Sequence, residues 1–108
     1  MFIDCGDMLV NPHLLPLIIN KLDTTPYVNI IGCGHIEEQE NNTTYAQPDH
    51  NRMHGKIYRV KFLRENHISF NPQCAYGNED IGFNQQCKII CSMFGENTIE
   101  YIDEPLVV

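Results

Sequence analysis

Asn78-Glu79-Asp80-Ile81-Gly82-Phe83-Asn84-Gln85-Gln86-Cys87-Lys88-Ile89-Ile90-Cys91-Ser92-Met93-Phe94-Gly95 is the stretch from which the fold class is read. Phe83, Cys87, Ile90, Cys91 and Phe94 fall at i, i+4, i+7, i+8 and i+11, which is one face of an α-helix. Asn78 is a good N-cap, and Glu79 and Asp80 sit in the first turn, where carboxylates complement the helix dipole. Gly95 is placed to end the helix. A carboxylate at such a helix start serves the dipole, and it also has the chemistry of a general base.

Outward from this helix the chain alternates between short strand and helix patterns. Toward the N-terminus, Ile68-Ser69-Phe70 reads as a short strand closed by an Asn71-Pro72 turn, and Val60 to Glu65 as a helix anchored by Phe62 and Leu63. Lys56 to Arg59 reads as a short strand or turn. From Glu37 to Arg52 no apolar period survives, and the stretch is predicted to be a mobile loop. Tyr27 to Ile31 is a β-rich run. Before it, Asn11-Pro12 reads as N-cap and first helical residue, with Leu14, Leu15, Ile18, Ile19 and Leu22 forming an apolar face. Pro16 predicts a kink or a late helix start, and Thr24-Thr25-Pro26 a stop. Toward the C-terminus, Ile99 to Ile102 and Leu106 to Val108 read as strands separated by an Asp103-Glu104-Pro105 turn. The fold class is therefore α/β, a single domain with no internal repeat.

Composition narrows the function classes. At 108 residues the chain buries roughly two thirds of its unfolded surface, so its core is modest. Fourteen acids against seven bases leave a net charge of −7, which argues against a nucleic-acid partner and against an anionic membrane surface. The N-terminus has no basic n-region, and the longest apolar run, Leu14 to Ile19, is too short to span a bilayer. A soluble, cytoplasmic location is the expectation. Cys5, Cys33, Cys74, Cys87 and Cys91 are odd in number, which argues against a disulfide framework. Cys87 and Cys91 lie one helical turn apart, and Cys33 precedes His35 by two residues. None of these has a second ligand pair at zinc spacing, so buried free thiols are the reading.

A second acidic cluster opens the chain: Phe2-Ile3-Asp4-Cys5-Gly6-Asp7-Met8-Leu9. A short strand ending in two spaced carboxylates presents them to one divalent cation. Mg²⁺ and Mn²⁺ favour such oxygen ligands and keep substrate phosphate oxygens in their shell. The alternative for Asp4 and Asp7 is turn formation and Asx capping. His54 lies just before Gly55-Lys56, and a lone histidine is most often structural or at the surface. Lys56, Arg59 and Arg64 have the charge to steer phosphates, but solvated surface charge is the favoured reading of each.

Four stretches, in order, resemble family 2 glycosyltransferases of the GT-A fold. FIDCGDMLVNPHLLPLI (2–18) is similar to the metal-binding D-x-D region, and HGKIYRVKFLRENHISF (54–70) to the segment crossing from the acceptor side. GNEDIGFNQQC (77–87) is similar to the E-D motif, and EYIDEPLVV (100–108) to the late strand. The loop from Glu37 to Arg52 lies outside the resemblance. Gly6 stands where many members carry an aspartate. The resemblance implies a mixed sheet with flanking helices and a divalent cation, Mn²⁺ or Mg²⁺, at Asp4 and Asp7. It implies Asp80 as catalytic base with Glu79 beside it, and His54 and Lys56 near substrate. It further implies metal-dependent, inverting transfer of a sugar from a nucleotide-sugar donor to an acceptor hydroxyl. In the family a nucleotide-binding half precedes the D-x-D region, which here begins at residue 1. The expectation is a partial GT-A domain over 1–108, lacking the N-terminal nucleotide-binding half, that self-associates or meets a partner chain supplying it. The alternative is a non-catalytic remnant acting as a binding or interaction module.

Overall fold

The computed structural model describes residues 1, 6–74, 78–95 and 98–108. The predicted strand at Phe2-Ile3 and the candidate ligand Asp4 lie outside the described residues. The elements in chain order are α1 (Leu14–Thr24), β1 (Ile30–Gln39), β2 (Asn42–Ala46), β3 (Lys56–Tyr58), α2 (Val60–Glu65), a 3₁₀ turn (Pro72–Cys74), α3 (Glu79–Met93) and β4 (Ile99–Val107).

The sheet is four-stranded and mixed, and it is organised around β1. Ile30 pairs with Tyr58 of β3 and with Ile99 of β4, whereas His35 pairs with Ala46 of β2 and with Val107 of β4. So β4 runs parallel to β1 along one edge, and β3 then β2 run antiparallel along the other. Alternation along β1 divides the core in two. Ile30 packs with Tyr58, Phe62, Ile68, Phe83, Cys87 and Cys91 beneath α2 and α3. Ile31 and Cys33 face the opposite way and pack with Leu14, Ile18, Val28, Leu106 and Val107 beneath α1. The result is an α/β domain with helices on both faces of a mixed sheet.

The helices form where their apolar spacing puts them. In α1, Leu14 and Ile18 are buried and Leu15 and Leu22 pack against them, while Ile19 points to solvent. Helix α1 starts late. The N–H groups of Leu14 and Leu15 bond the carbonyls of Asn11 and Pro12 in a turn before it, and His13, not Asn11, stands at the N-cap. Pro16 therefore falls in the first helical turn, where its missing N–H costs nothing. In α3, Phe83, Cys87 and Cys91 are buried, and Ile90 packs against them. Phe94, the last member of the predicted face, is exposed beyond the helix end.

Three expectations are corrected. The first part of the loop predicted from Glu37 to Arg52 is instead an antiparallel hairpin that ends at Ala46, with Glu37 opposite Thr44 and Gln39 opposite Asn42, whereas residues 47–52 have no regular secondary structure. The hairpin's residues from Glu37 outward are exposed on both faces, apart from a half-buried Ala46, so no alternation marked it as strand. Ile68-Ser69-Phe70 is not a strand; Ile68 is buried in the core from a segment without regular structure. The predicted Asp103-Glu104-Pro105 turn lies within a single strand. Cys33 pairs with Ile102 and Gly34 with Pro105, so Asp103 and Glu104 are extra residues of a bulge. The bulge places Pro105 in a strand at the sheet edge, where a missing N–H is tolerated.

Candidate functional site

At the C-terminal end of β1 the chain encloses a cleft of about 1180 Å³. Its lining comes from segments far apart in sequence. Asp7 arrives from the N-terminal stretch, which is held to the sheet by Met8 and Val10 bonding the carbonyls of Val108 and Leu106. His35 and Glu37 come from β1, Asp49, Arg52 and His54 from the loop before β3, and Glu79 and Asp80 from the first turn of α3.

Four of these side chains form a series across the cleft. Asp7 Oδ2 lies 3.7 Å from His54 Nδ1, and the His54 ring meets the His35 ring edge-on with centroids 4.6 Å apart. His35 Nε2 lies 3.3 Å from Glu37 Oε1. The second nitrogen of His35, Nδ1, is buried without a hydrogen-bond partner among the described residues. Asp80 is half-buried and uses Oδ1 to accept the N–H of Ile81 at 2.9 Å, while Glu79 is exposed. Among the described residues, six carboxylates (Asp7, Glu37, Glu38, Asp49, Glu79 and Asp80) line the cleft, against one permanent cation, Arg52.

The loop carrying Asp49, Arg52 and His54 is built locally. Asp49 Oδ1 accepts the N–H groups of Asn51 at 2.6 Å and Arg52 at 3.1 Å, forming an Asx-type turn. Burial acts to raise the Asp49 carboxyl; those two bonds and the nearby Lys56 outweigh it and hold it below the usual carboxylate range. Next to His54, Gly55 adopts φ +70°, a left-handed conformation that glycine reaches without strain.

Of the residues singled out in the sequence, Asp7, His54, Glu79 and Asp80 meet at this one cleft. Lys56 does not line it. Its side chain is buried, and Nζ donates to the backbone carbonyls of Asp49 and Arg52. Burial pushes the Lys56 ammonium down to about 8, with Asp49 acting in the opposite sense. Arg59 is likewise committed, donating to the carbonyls of Leu22 at 2.6 Å and Val28 at 2.9 Å and tying down the end of α1. None of His35, Asp49 and Arg52 is placed in the site by the sequence, where His35 is weighed only as a zinc ligand with Cys33 and Asp49 and Arg52 fall in the loop. The spacing of His35 and Glu37, two apart and so on one face of a strand, was the available signal; it was hidden by reading Glu37 onward as loop.

The fold and cleft define a small α/β domain with an acidic, histidine-containing site at the end of its central strand. Comparison with protein-family models, with curated proteins and with solved structures returns no match. Among the described residues no helix is long and apolar enough to cross a membrane.

Proposed function

We propose that this chain is the acceptor- and metal-side portion of a glycosyltransferase, moving a sugar from a nucleotide-sugar donor to an acceptor hydroxyl with inversion. One observation carries the reading: Asp7, His54, Glu79 and Asp80, from three segments that resemble family 2 glycosyltransferases, line a single cleft. A structural role for each acid alone gives no reason for them to converge.

The chain's own residues supply the following chemistry. Asp80 keeps Oδ2 free of the bond that Oδ1 makes to Ile81, so it can accept the proton of an acceptor hydroxyl as that oxygen attacks the anomeric carbon. Glu79, at the exposed lip, orients the acceptor. His54, held toward Asp7, donates to or accepts from substrate oxygens.

Among the described residues no group of three His, Cys, Asp or Glu side chains is arranged around a metal ion. The donor set still fits a Mg²⁺- or Mn²⁺-type ion. Such ions are held by one or two carboxylates together with substrate phosphates, and Asp7 offers one carboxylate from the cleft wall. Asp7, with Asp4 beyond the described residues, would hold the ion. When bound, the ion supplies charge neutralisation at the donor diphosphate. The acidity of the cleft gives that a purpose, since among the described residues six carboxylates oppose an anionic donor and Arg52 does not balance them.

The test is hydrolysis and transfer across a panel of nucleotide-sugars with Mn²⁺, with and without a separately supplied nucleotide-binding half. Asp80→Asn is expected to lower turnover by about 10²–10⁴ while leaving the melting temperature nearly unchanged. Asp7→Ala is expected to weaken Mn²⁺ binding measured by water-proton relaxation. Mn²⁺ binding that ignores Asp7, together with no turnover of any donor, would favour the non-catalytic module instead.

A further inference from the structure

Lys56 and Asn84 are 3% and 2% exposed, the most deeply buried charged and amide side chains of the described chain. Neither touches the cleft, yet both reach the loop that forms one of its walls. Lys56 Nζ donates to the carbonyls of Asp49 and Arg52. Asn84 Nδ2 donates to the carbonyl between them, that of Asn51, at 2.7 Å. Asn84 Oδ1 in turn accepts the hydroxyl of Tyr58 at 2.6 Å. Three of the four consecutive carbonyls from Asp49 to Arg52 are thus taken by side chains from β3 and α3. Arg52 and His54 follow directly into the cleft.

The placement of the two donors is informative. Asn84 lies four residues after Asp80, one helical turn along α3 from the carboxylates at its N-terminus. Lys56 lies two residues after His54 on β3. The loop wall is therefore anchored on one side to the helix that presents Asp80 and on the other to the strand that follows His54. A buried ammonium and amide are a costly means of stability, because apolar residues of similar volume often serve at least as well. What directed hydrogen bonds add over apolar packing is a fixed geometry.

We propose that Lys56 and Asn84 are positioning residues that bracket the Asp49–His54 wall and set its distance from the N-terminus of α3, and so the width of the cleft. They act through the three loop carbonyls and touch neither substrate nor metal. The bracket rests on the transferase reading only for what the cleft binds.

The experiment uses the full chain, in wild type and in Lys56→Met, Lys56→Arg and Asn84→Asp. Lys56→Met keeps the length of the side chain and removes its donors. Asn84→Asp keeps the acceptor for Tyr58 and removes the donor to Asn51. Two readouts report on the wall. One is the NMR cross-peak between the His35 and His54 rings, in edge contact in this structure. The other is amide exchange at Asn51 and Arg52, whose N–H groups are bonded to Asp49. Lys56→Met and Asn84→Asp are expected to melt cooperatively, to lose the inter-ring cross-peak, and to exchange those amides roughly ten- to a hundredfold faster. Lys56→Arg, which can donate to both carbonyls, is expected to restore the cross-peak. A lowered melting temperature with the cross-peak and exchange unmoved would overturn the proposal, since the residues would then be merely structural. Loss of the fold in both variants would overturn it too, because the pair would be holding the core and not the wall. An inactive wild type tells against transfer, whereas an unmoved His35–His54 contact tells against the bracket.

Discussion

Gly55 joins His54 in the cleft to Lys56 in the core, and replacing it by alanine tests how the wall is attached to the sheet. The residue sits at φ +70°, and a Cβ there would lie 2.5 Å from the carbonyl oxygen of Cys33. That oxygen belongs to the backbone of the central strand and cannot rotate away. Entering the left-handed region costs a residue with a Cβ about 1–2 kcal/mol. The backbone shift that relieves the clash also strains the hydrogen bond from Cys33 N–H to the Gly55 carbonyl, 2.9 Å long, worth about 0.5–1.5 kcal/mol net. Together these give a loss of about 1.5–3.5 kcal/mol, or a fall in melting temperature of about 6–20 °C for a chain of this size. Thermal unfolding followed by circular dichroism measures it. Gly82→Ala, in the first turn of α3 with no atom within 4 Å of the added Cβ, is the control of opposite sign. It should gain about 0.4–1 kcal/mol. A Gly55→Ala protein melting within about 2 °C of wild type, well under the shift expected for 1 kcal/mol, would refute the reasoning.

Two other perturbations follow from the buried groups. Burial raises the thiols of Cys33 to about 11 and of Cys87 to about 12, with Glu104 adding to the first and Cys91 to the second, and it raises Cys91 as well. In a Cys5→Ser, Cys74→Ser background, their reaction with a disulfide reagent at pH 8 should follow the rate of opening and be at least about a hundredfold slower than in denaturant. Lys56 titrates in the folded chain at about 8, below its value of about 10.4 in the unfolded chain. The folded state therefore binds the proton more weakly. The penalty is fully present below pH 8 and is relieved as pH rises toward 10.5. Urea unfolding of wild type against Lys56→Met should show the difference moving in favour of wild type between pH 7.5 and 10, by about 1–3 kcal/mol at most. A difference that stays flat or moves the other way would contradict the burial argument.

The helices and the α/β class were determined by the sequence itself, because their signals are local. Leu14, Leu15, Ile18 and Leu22, and likewise Phe83, Cys87, Ile90 and Cys91, repeat at the helical period and bury the face they define. The gathering of carboxylates at the start of α3 was legible for the same reason. What the sequence did not show depended on partners distant in the chain. The β1–β2 hairpin is solvated on both faces beyond Ile36, so its strands carry no alternation, and only pairing of Glu37 with Thr44 and Gln39 with Asn42 makes them strands. Strand β4 absorbs Asp103 and Glu104 as a bulge because β1 continues alongside it, where the local sequence reads as a turn. Lys56 looked like a surface cation near substrate, and its burial follows from the carbonyls of Asp49 and Arg52 folding over it. The meeting of Asp7, His35, His54 and Asp80 was likewise decided by the tertiary structure, since sheet pairing between remote segments sets those distances and no spacing along the chain encodes them.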